Sequence, residues 1–296
     1  MVKRSGDLKR VLVVGAGRAL GAGIATRLAK AGHRVTATRF QRMDHDDALE
    51  AAGARLAALD ITDLSAVSRL GEGHDAAILV PILSLSGPAA RTLVEAGVRL
   101  GVVFSSNNVD RVPDAPVYRA LAAAETSLFE HAPNWAILRP TMIYGHFGAD
   151  ALARLLQQAA RWPAIPIPGR GRALQQPIHI QDLEVLADAL ATGAWMACGI
   201  LPLGGPEILS QSDLVSKVYA AVGRRPRAIH LPLGPLSLAA RLGVPLPLDR
   251  NQLARVEIDK HVAQPPDIPG ALKPKTHLDD ALPAIAQKLG LIQRDR

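Results

Sequence analysis

A doubly wound parallel α/β sheet with a smaller mixed α/β C-terminal lobe is the fold class predicted by three features of this 296-residue chain. Strand-length apolar runs alternate with segments of helical spacing through the first half. A glycine turn joins the first run to the first helix. Past Tyr144 the alternation gives way to prolines and shorter segments.

The elements follow in order. Val11 to Val14 reads as a buried strand that breaks into Gly15-Ala16-Gly17-Arg18-Ala19-Leu20-Gly21. Leu20, Ile24, Leu28 and Ala31 then recur near helical spacing, and Gly32 closes that helix before a second strand at 34–38. Later strands are predicted near 55–59, 76–80, 100–104 and 134–138. Helices are predicted at 18–31, 46–52, 64–70, 88–97, 116–131 and 151–161. Right-handed crossovers between such strands put ligands at their carboxyl ends.

In the second half Pro163, Pro166 and Pro168 punctuate a loop that runs into Gly169-Arg170-Gly171-Arg172. A helix at 181–191, a strand at 200–203 and a helix at 211–222 follow. A Pro/Leu-rich apolar stretch at 231–248 suggests a hydrophobic ligand, a protein contact or core. A last amphipathic helix lies near 278–289. The boundaries are a first domain at 1–145 and a lobe at 146–296, with segments of the lobe returning to the main sheet.

Composition narrows the class. Hydrophobic residues make up 48% of the chain and aromatics 3%, so aliphatic side chains fill the core. The net charge is +7, from 34 Lys+Arg against 27 Asp+Glu. There is no Lys/Arg block and little aromatic surface for base stacking, which argues against nucleic acid. The single cysteine, Cys198, excludes an internal disulfide and reads as a buried packing residue. The histidines show no metal-binding spacing, so no metal is expected. The opening MVKRSGDLKR lacks an apolar core, and no apolar run approaches the ~20 residues of a membrane span. A cytoplasmic protein is the expectation.

Strand, glycine turn, helix and strand together form the unit that holds a dinucleotide pyrophosphate on a helix N-terminus. Gly15, Gly17 and Gly21 allow backbone N–H groups to approach phosphate, beside Arg18 and Leu20. Charge then selects the cofactor. NAD-binding proteins usually place an acid at the end of the second strand. Arg39 stands there, with Arg18 and Arg42 nearby, and a guanidinium grips a 2′-phosphate that a carboxylate repels. NADP(H) is therefore expected in preference to NAD(H).

Several segments, in order, resemble the extended and atypical branches of the short-chain dehydrogenase/reductase superfamily. VGAGRALGAGIA resembles its nucleotide loop, with Ala19 where a glycine is common. Leu59-Asp60-Ile61-Thr62-Asp63 resembles its adenine-side segment. Phe104-Ser105-Ser106-Asn107-Asn108-Val109 is similar to the strand end with its catalytic serine, and Tyr118 with Glu125 to its active-site helix. Leu138-Arg139-Pro140-Thr141-Met142-Ile143-Tyr144-Gly145 is similar to the segment closing over the nicotinamide. Pro177 to Asp182 and Leu203-Gly204-Gly205-Pro206 resemble landmarks of its second lobe. The likeness spans residues 10 to about 290 and is greatest to the epimerase/dehydratase-like group that includes the NADPH-binding accessory subunit of respiratory complex I. It implies a Rossmann domain, Ser106 and Tyr118 as catalytic residues, and cofactor contacts from Asp60, Ile61, Val80, Pro81, Pro140 and Ile143. The family often dimerises through two helices per subunit, which allows a homodimer here.

The chain departs from that pattern in two places. The family follows its tyrosine four residues later by lysine, on one helix face; here Tyr118 is followed by Ala122, and Arg119 points about 100° away. A phenol without that cation is a poor general base but still a proton donor. In addition, Gln175 replaces an arginine that binds diphosphate in nucleotide-sugar enzymes; Arg170 and Arg172 are the charges nearby. His179 reads as structural and Asp182 as a helix N-cap.

Three functions follow. The first is NADP(H)-dependent reduction of a small carbonyl compound, with Ser106 and Tyr118 polarising its oxygen. The second is an NADP(H)-binding sensor or accessory subunit without turnover. The third, a nucleotide-sugar epimerase or dehydratase, is weakened by Ala122 and Gln175.

Overall fold

The computed structural model describes residues 8–44, 46–145, 150–225, 228–236 and 256–292. Its centre is a seven-stranded sheet of order β11-β6-β5-β4-β1-β2-β3. The strands are β1 (Arg10–Val14), β2 (Arg34–Arg39), β3 (Arg55–Ala58), β4 (Ala76–Ile82), β5 (Leu100–Phe104), β6 (Ala136–Pro140) and β11 (Gly199–Leu203). Every pairing in it is parallel.

Both faces are covered, so the central strands read as continuous apolar runs rather than alternating ones. Val11, Val13, Ile78, Val102 and Leu138 point to one face, under α1 (Ala19–Lys30), α2 (Asp46–Ala51) and α8 (Ile180–Thr192). Leu12, Val14, Leu79, Val103 and Ile137 point to the other, under α3 (Leu64–Gly71), α4 (Leu83–Glu95) and α6 (Pro116–His131). A short helix, α5 (Asn108–Arg111), links β5 to α6.

The lobe has its own core. Tyr144, Ile165, Ile167 and Leu209 pack with α7 (Ala151–Arg161), α9 (Gln211–Ala221) and α10 (Leu278–Lys288). Three strand pairs tie its loops: β7 (Ile143–Tyr144) with β10 (Ile178–His179), β9 (Leu174–Gln175) with β12 (Leu209–Ser210), and β8 (Ile165–Pro168) with β13 (Ala228–Leu231).

Four expectations are corrected here. Helix α4 begins at Leu83, not 88, so Pro88 sits in its second turn; the missing N–H deprives only one carbonyl of a donor, and Ser86 Oγ anchors the first turn on the Pro81 carbonyl at 2.9 Å. The proline-punctuated loop contains strand β8, where Ile165 and Ile167 are buried and Pro166 is exposed; β8 pairs with β13 alone, and such an edge strand tolerates proline. Cys198 is exposed, because Gly193 ends α8 in the left-handed conformation and the following turn runs over the surface. The N-cap of α8 is His179, whose Nδ1 accepts from the Gln181 N–H at 3.3 Å; Asp182 instead accepts from Thr276 N–H and Oγ1, both at 3.1 Å. Of the apolar stretch at 231–248, the part beyond Leu236 lies outside the described residues. Among the described residues, no helix is long and apolar enough to cross a membrane.

Candidate active site at the carboxyl edge of the sheet

The loops after β1, β2, β4, β5 and β6 meet at the carboxyl edge of the sheet. Backbone bonds extend the ladders into them: Ala16 N–H to the Thr38 carbonyl at 2.8 Å, Ser105 N–H to Leu138 at 2.8 Å, Asn107 N–H to Pro140 at 3.2 Å. The site is therefore a continuation of the sheet.

The glycine turn is shaped by steric demands. Gly15 has φ +91°, and a β-carbon there would lie 2.8 Å from Pro81 Cδ. At Gly21 a β-carbon would lie 2.4 Å from the Gly15 carbonyl oxygen, so α1 starts flush against the turn. Arg18 occupies the N-cap without a side-chain cap bond, and the first turn of α1 holds no acid. The helix end thus keeps its partial positive charge for an anion, and these residues fit a dinucleotide pyrophosphate. Leu20 is buried in the core, so it offers that anion its backbone only.

The charges flanking the turn are partly spoken for. Arg39 Nε makes an ion pair with Asp46, which is buried at the start of α2. Arg42 pairs with Asp47 at 3.3 Å on the surface, whereas the Arg18 side chain is exposed. Asp60 is exposed at the end of β3; its Oδ1 accepts from Thr62 Oγ1 at 2.7 Å and Thr62 N–H at 2.9 Å. Those bonds hold its carboxyl below the usual range. Ile61, Val80, Pro81 and Ile143 are half-buried along the same edge, and Pro140 is buried.

The two predicted catalytic hydroxyls are joined through a third residue. Ser106 Oγ accepts from the Asn108 N–H at 3.2 Å, and Asn108 Nδ2 donates to the Tyr118 hydroxyl at 3.1 Å. Tyr118, in the first turn of α6, is buried in the core on that face of the sheet. No cation stands one turn on, where Ala122 is half-buried.

Arg139 braces the loop. From the buried end of β6 it forks onto Glu125 of α6, with Nε at 2.9 Å, and reaches Asp110 of α5 at 2.6 Å. The Glu125 hydrogen bond raises the arginine's own pKa further, so it stays charged. Beyond it, Tyr144 packs edge-on to His179, with ring centroids 4.9 Å apart, and burial pushes its phenol well above the usual range. Arg170 and Arg172 lie in the lobe, exposed beside Glu257 and Asp259, and Gln175 is buried between β12 and Lys260. Sequence reasoning missed Asn108 and Asp46 as partners of the site. No periodicity marks either; only a Ser-x-Asn turn and an acid opening α2 could have pointed to them.

No family model matches the chain, and no curated protein matches its sequence. Solved structures do match. MoeE5 in complex with UDP-glucose and NAD is 18% identical, over 94% of this chain and 99% of that one, with a TM-score of 0.70. The Thermus thermophilus UDP-glucose 4-epimerase complex with NAD is 16% identical, over 95% and 99%, with a TM-score of 0.71. Helicobacter pylori ADP-L-glycero-D-manno-heptose-6-epimerase is 14% identical, over 98% and 99%, with a TM-score of 0.71.

The chain has the fold of the extended short-chain dehydrogenase/reductases. This chain places Gly15 to Gly21 at the turn after β1, Ser106 just past the end of β5 and Tyr118 on α6. Of these neighbours, MoeE5 and the Thermus thermophilus epimerase hold NAD.

Proposed function

We propose that the protein is a nicotinamide-dependent oxidoreductase that reduces a small carbonyl compound and uses NADP(H). The observation that carries this is the hydroxyl pair. Ser106 and Tyr118 share Asn108 at the sheet edge next to a glycine turn suited to pyrophosphate, and no lysine is present to turn the phenol into a base. Bound reduced dinucleotide supplies a hydride. Ser106 and Tyr118 hydrogen-bond the carbonyl oxygen, and Tyr118 gives it a proton. Arg18 and Arg39 receive a 2′-phosphate, Asp60 lies on the adenine side, and Pro140 and Ile143 flank the ring.

Two observations favour other readings in part. The Arg39–Asp46 pair weakens the charge offered to a 2′-phosphate, and solved neighbours hold NAD, which favours NAD(H). Two solved neighbours are epimerases of nucleotide sugars by name and MoeE5 holds UDP-glucose, which favours a sugar nucleotide substrate; Gln175 and Ala122 weigh against it.

The test has two parts. Fluorescence titration is expected to show tighter binding of NADPH than NADH, and equal affinities remove the Arg39 argument. A carbonyl panel with wild type and Tyr118→Phe is expected to show turnover lost in the variant. Undiminished turnover removes Tyr118 as proton donor, and dinucleotide binding without any turnover supports the sensor reading.

A further inference from the structure

We propose that Glu184 of α8 is a proton-linked regulator of the dinucleotide site: its carboxyl takes up a proton when an anion seats on the N-terminus of α1, so dinucleotide affinity falls as pH rises. This rests on the oxidoreductase reading above and on the pyrophosphate seat it gives to the glycine turn. The geometry starts at Gly23, which lies past the N-cap Arg18 by about 7.5 Å along the axis of α1. A β-carbon on Gly23 would sit 1.9 Å from Glu184 Oε1, so the carboxyl rests against the backbone of α1 itself. Glu184 is half-buried, and among the described residues it makes no hydrogen bond or ion pair. Part of its water is displaced and no donor takes the place of that water, so burial pushes the carboxyl up to about 7.

The charges around Glu184 leave it open to an outside charge. α1 brings Arg27, which draws the carboxyl down but is itself held by Asp188 at 2.7 Å. Arg18 and Lys30 stand at the two ends of α1. On α8, Asp182 accepts from Thr276, and Asp188 lies one turn from Glu184. β10 brings His179, whose Nδ1 accepts from the Gln181 N–H. β4, β5 and the turn Gly270–Leu272 also pack on α8 and carry no ionisable side chain; the exposed Lys273 follows that turn. A pyrophosphate carries two negative charges. Seated on the first turn of α1, it lies roughly 10 Å from Glu184 through protein, where salt screens little. Both charges oppose a carboxylate there, so the seated anion holds the proton in place. The coupling is reciprocal: ionised Glu184 weakens anion binding by the factor with which the anion favours the proton. The anion raises the proton affinity of the folded site, so the dinucleotide binds best below about pH 7 and less well above it.

The experiment titrates full-length wild type and Glu184→Gln with NADPH by calorimetry at pH 6, 7 and 8.5, in two buffers of unlike ionisation enthalpy. The 2′-phosphate of NADPH titrates alike in both proteins and cancels in the comparison. Between the extremes of pH, wild-type affinity is expected to fall about five-fold more than that of the variant. Near pH 7 the wild type is expected to take up a few tenths of a proton per NADPH beyond what the variant takes up, the share set by a coupling on the order of five-fold. Arg27→Met keeps the carboxyl but removes the cation that favours its ionisation, so the fall is expected to set in at higher pH. Equal pH profiles and equal proton uptake in wild type and Glu184→Gln overturn the proposal and leave the oxidoreductase reading standing. An unmoved onset in Arg27→Met overturns it as well, whether or not the glutamine variant folds. A merely structural Glu184 would change affinity by one factor at every pH and take up no proton. A wild type that binds no NADPH at any of the three pH values overturns the oxidoreductase reading and the proposal with it.

Discussion

Glu184 of α8 lies over Gly23 of α1 so closely that a β-carbon on Gly23 would sit 1.9 Å from its Oε1. The absent side chain makes the slot, and burial in it pushes the carboxyl up to about 7, against the pull of Arg27. Arg27 is itself held by Asp188 at 2.7 Å.

A pH-dependent stability follows. The folded protein keeps the Glu184 proton where the unfolded chain has lost it, so stability falls as pH rises from the ordinary glutamate range through about 7. Glu184→Gln is expected to stabilise the protein at pH 8 by about 1–2 kcal/mol, after discounting for the solvent-facing part of the group, and to do little at pH 4.5. Denaturant melts at the two pH values measure this. Parallel shifts at both would refute it.

The glycines of the turn after β1 should separate by role. Gly21→Ala forces a β-carbon onto the Gly15 carbonyl and is expected to cost about 2 kcal/mol or more of stability. Gly17→Ala meets only Arg39 and Met43 side-chain carbons at 3.6 Å, so it is expected to fold within about 0.5 kcal/mol of wild type. It should nevertheless weaken NADPH binding at least about ten-fold, since the new methyl occupies the phosphate approach. Calorimetry on both variants checks the split.

The brace under the site is testable by denaturation. Glu125→Ala strips a buried arginine of its bidentate partner and leaves it Asp110 alone. The expected loss is about 3 kcal/mol, with partial recovery when Arg139→Met is added, because the unpaired buried charge is then gone. A loss below about 1 kcal/mol for the single change would mean that water satisfies the arginine.

Asp46 bears on cofactor choice. Asp46→Asn keeps the shape but releases the charge that neutralises Arg39. The ratio of NADPH to NADH affinity is expected to rise about five-fold, or about 1 kcal/mol, the loss of one ion pair buried on its Asp46 side. An unchanged ratio would place the 2′-hydroxyl away from Arg39.

Much of the frame could be read from the chain, because the main-sheet strands stand out as short apolar runs and the helices as apolar residues every three to four positions. Arg10–Val14, Leu100–Phe104, Pro116–His131 and Ala151–Arg161 fall where patterning puts them. What escaped depends on distant partners. Ile165–Pro168 is a strand only because Ala228–Leu231 pairs with it. Asp182 could not reveal Thr276, nor Arg39 reveal Asp46, because each contact is set by the path of the backbone between them. The link from Asn108 to Tyr118 depends on the angle between two helices that Arg139 fixes from a third element.

Strand β11 seals the edge of the main sheet beside β6, although the chain reaches it only after much of the lobe, and α8 covers α1 from the same stretch. A polypeptide severed after Tyr144 would carry the glycine turn but neither of these coverings. Its last strand would present a bare ladder of amides next to uncovered Ile24 and Leu138, a template for chain-to-chain stacking. Expressed alone, the N-terminal part is expected in inclusion bodies, and a coenzyme-binding unit would have to be excised with residues 180–203 spliced back in.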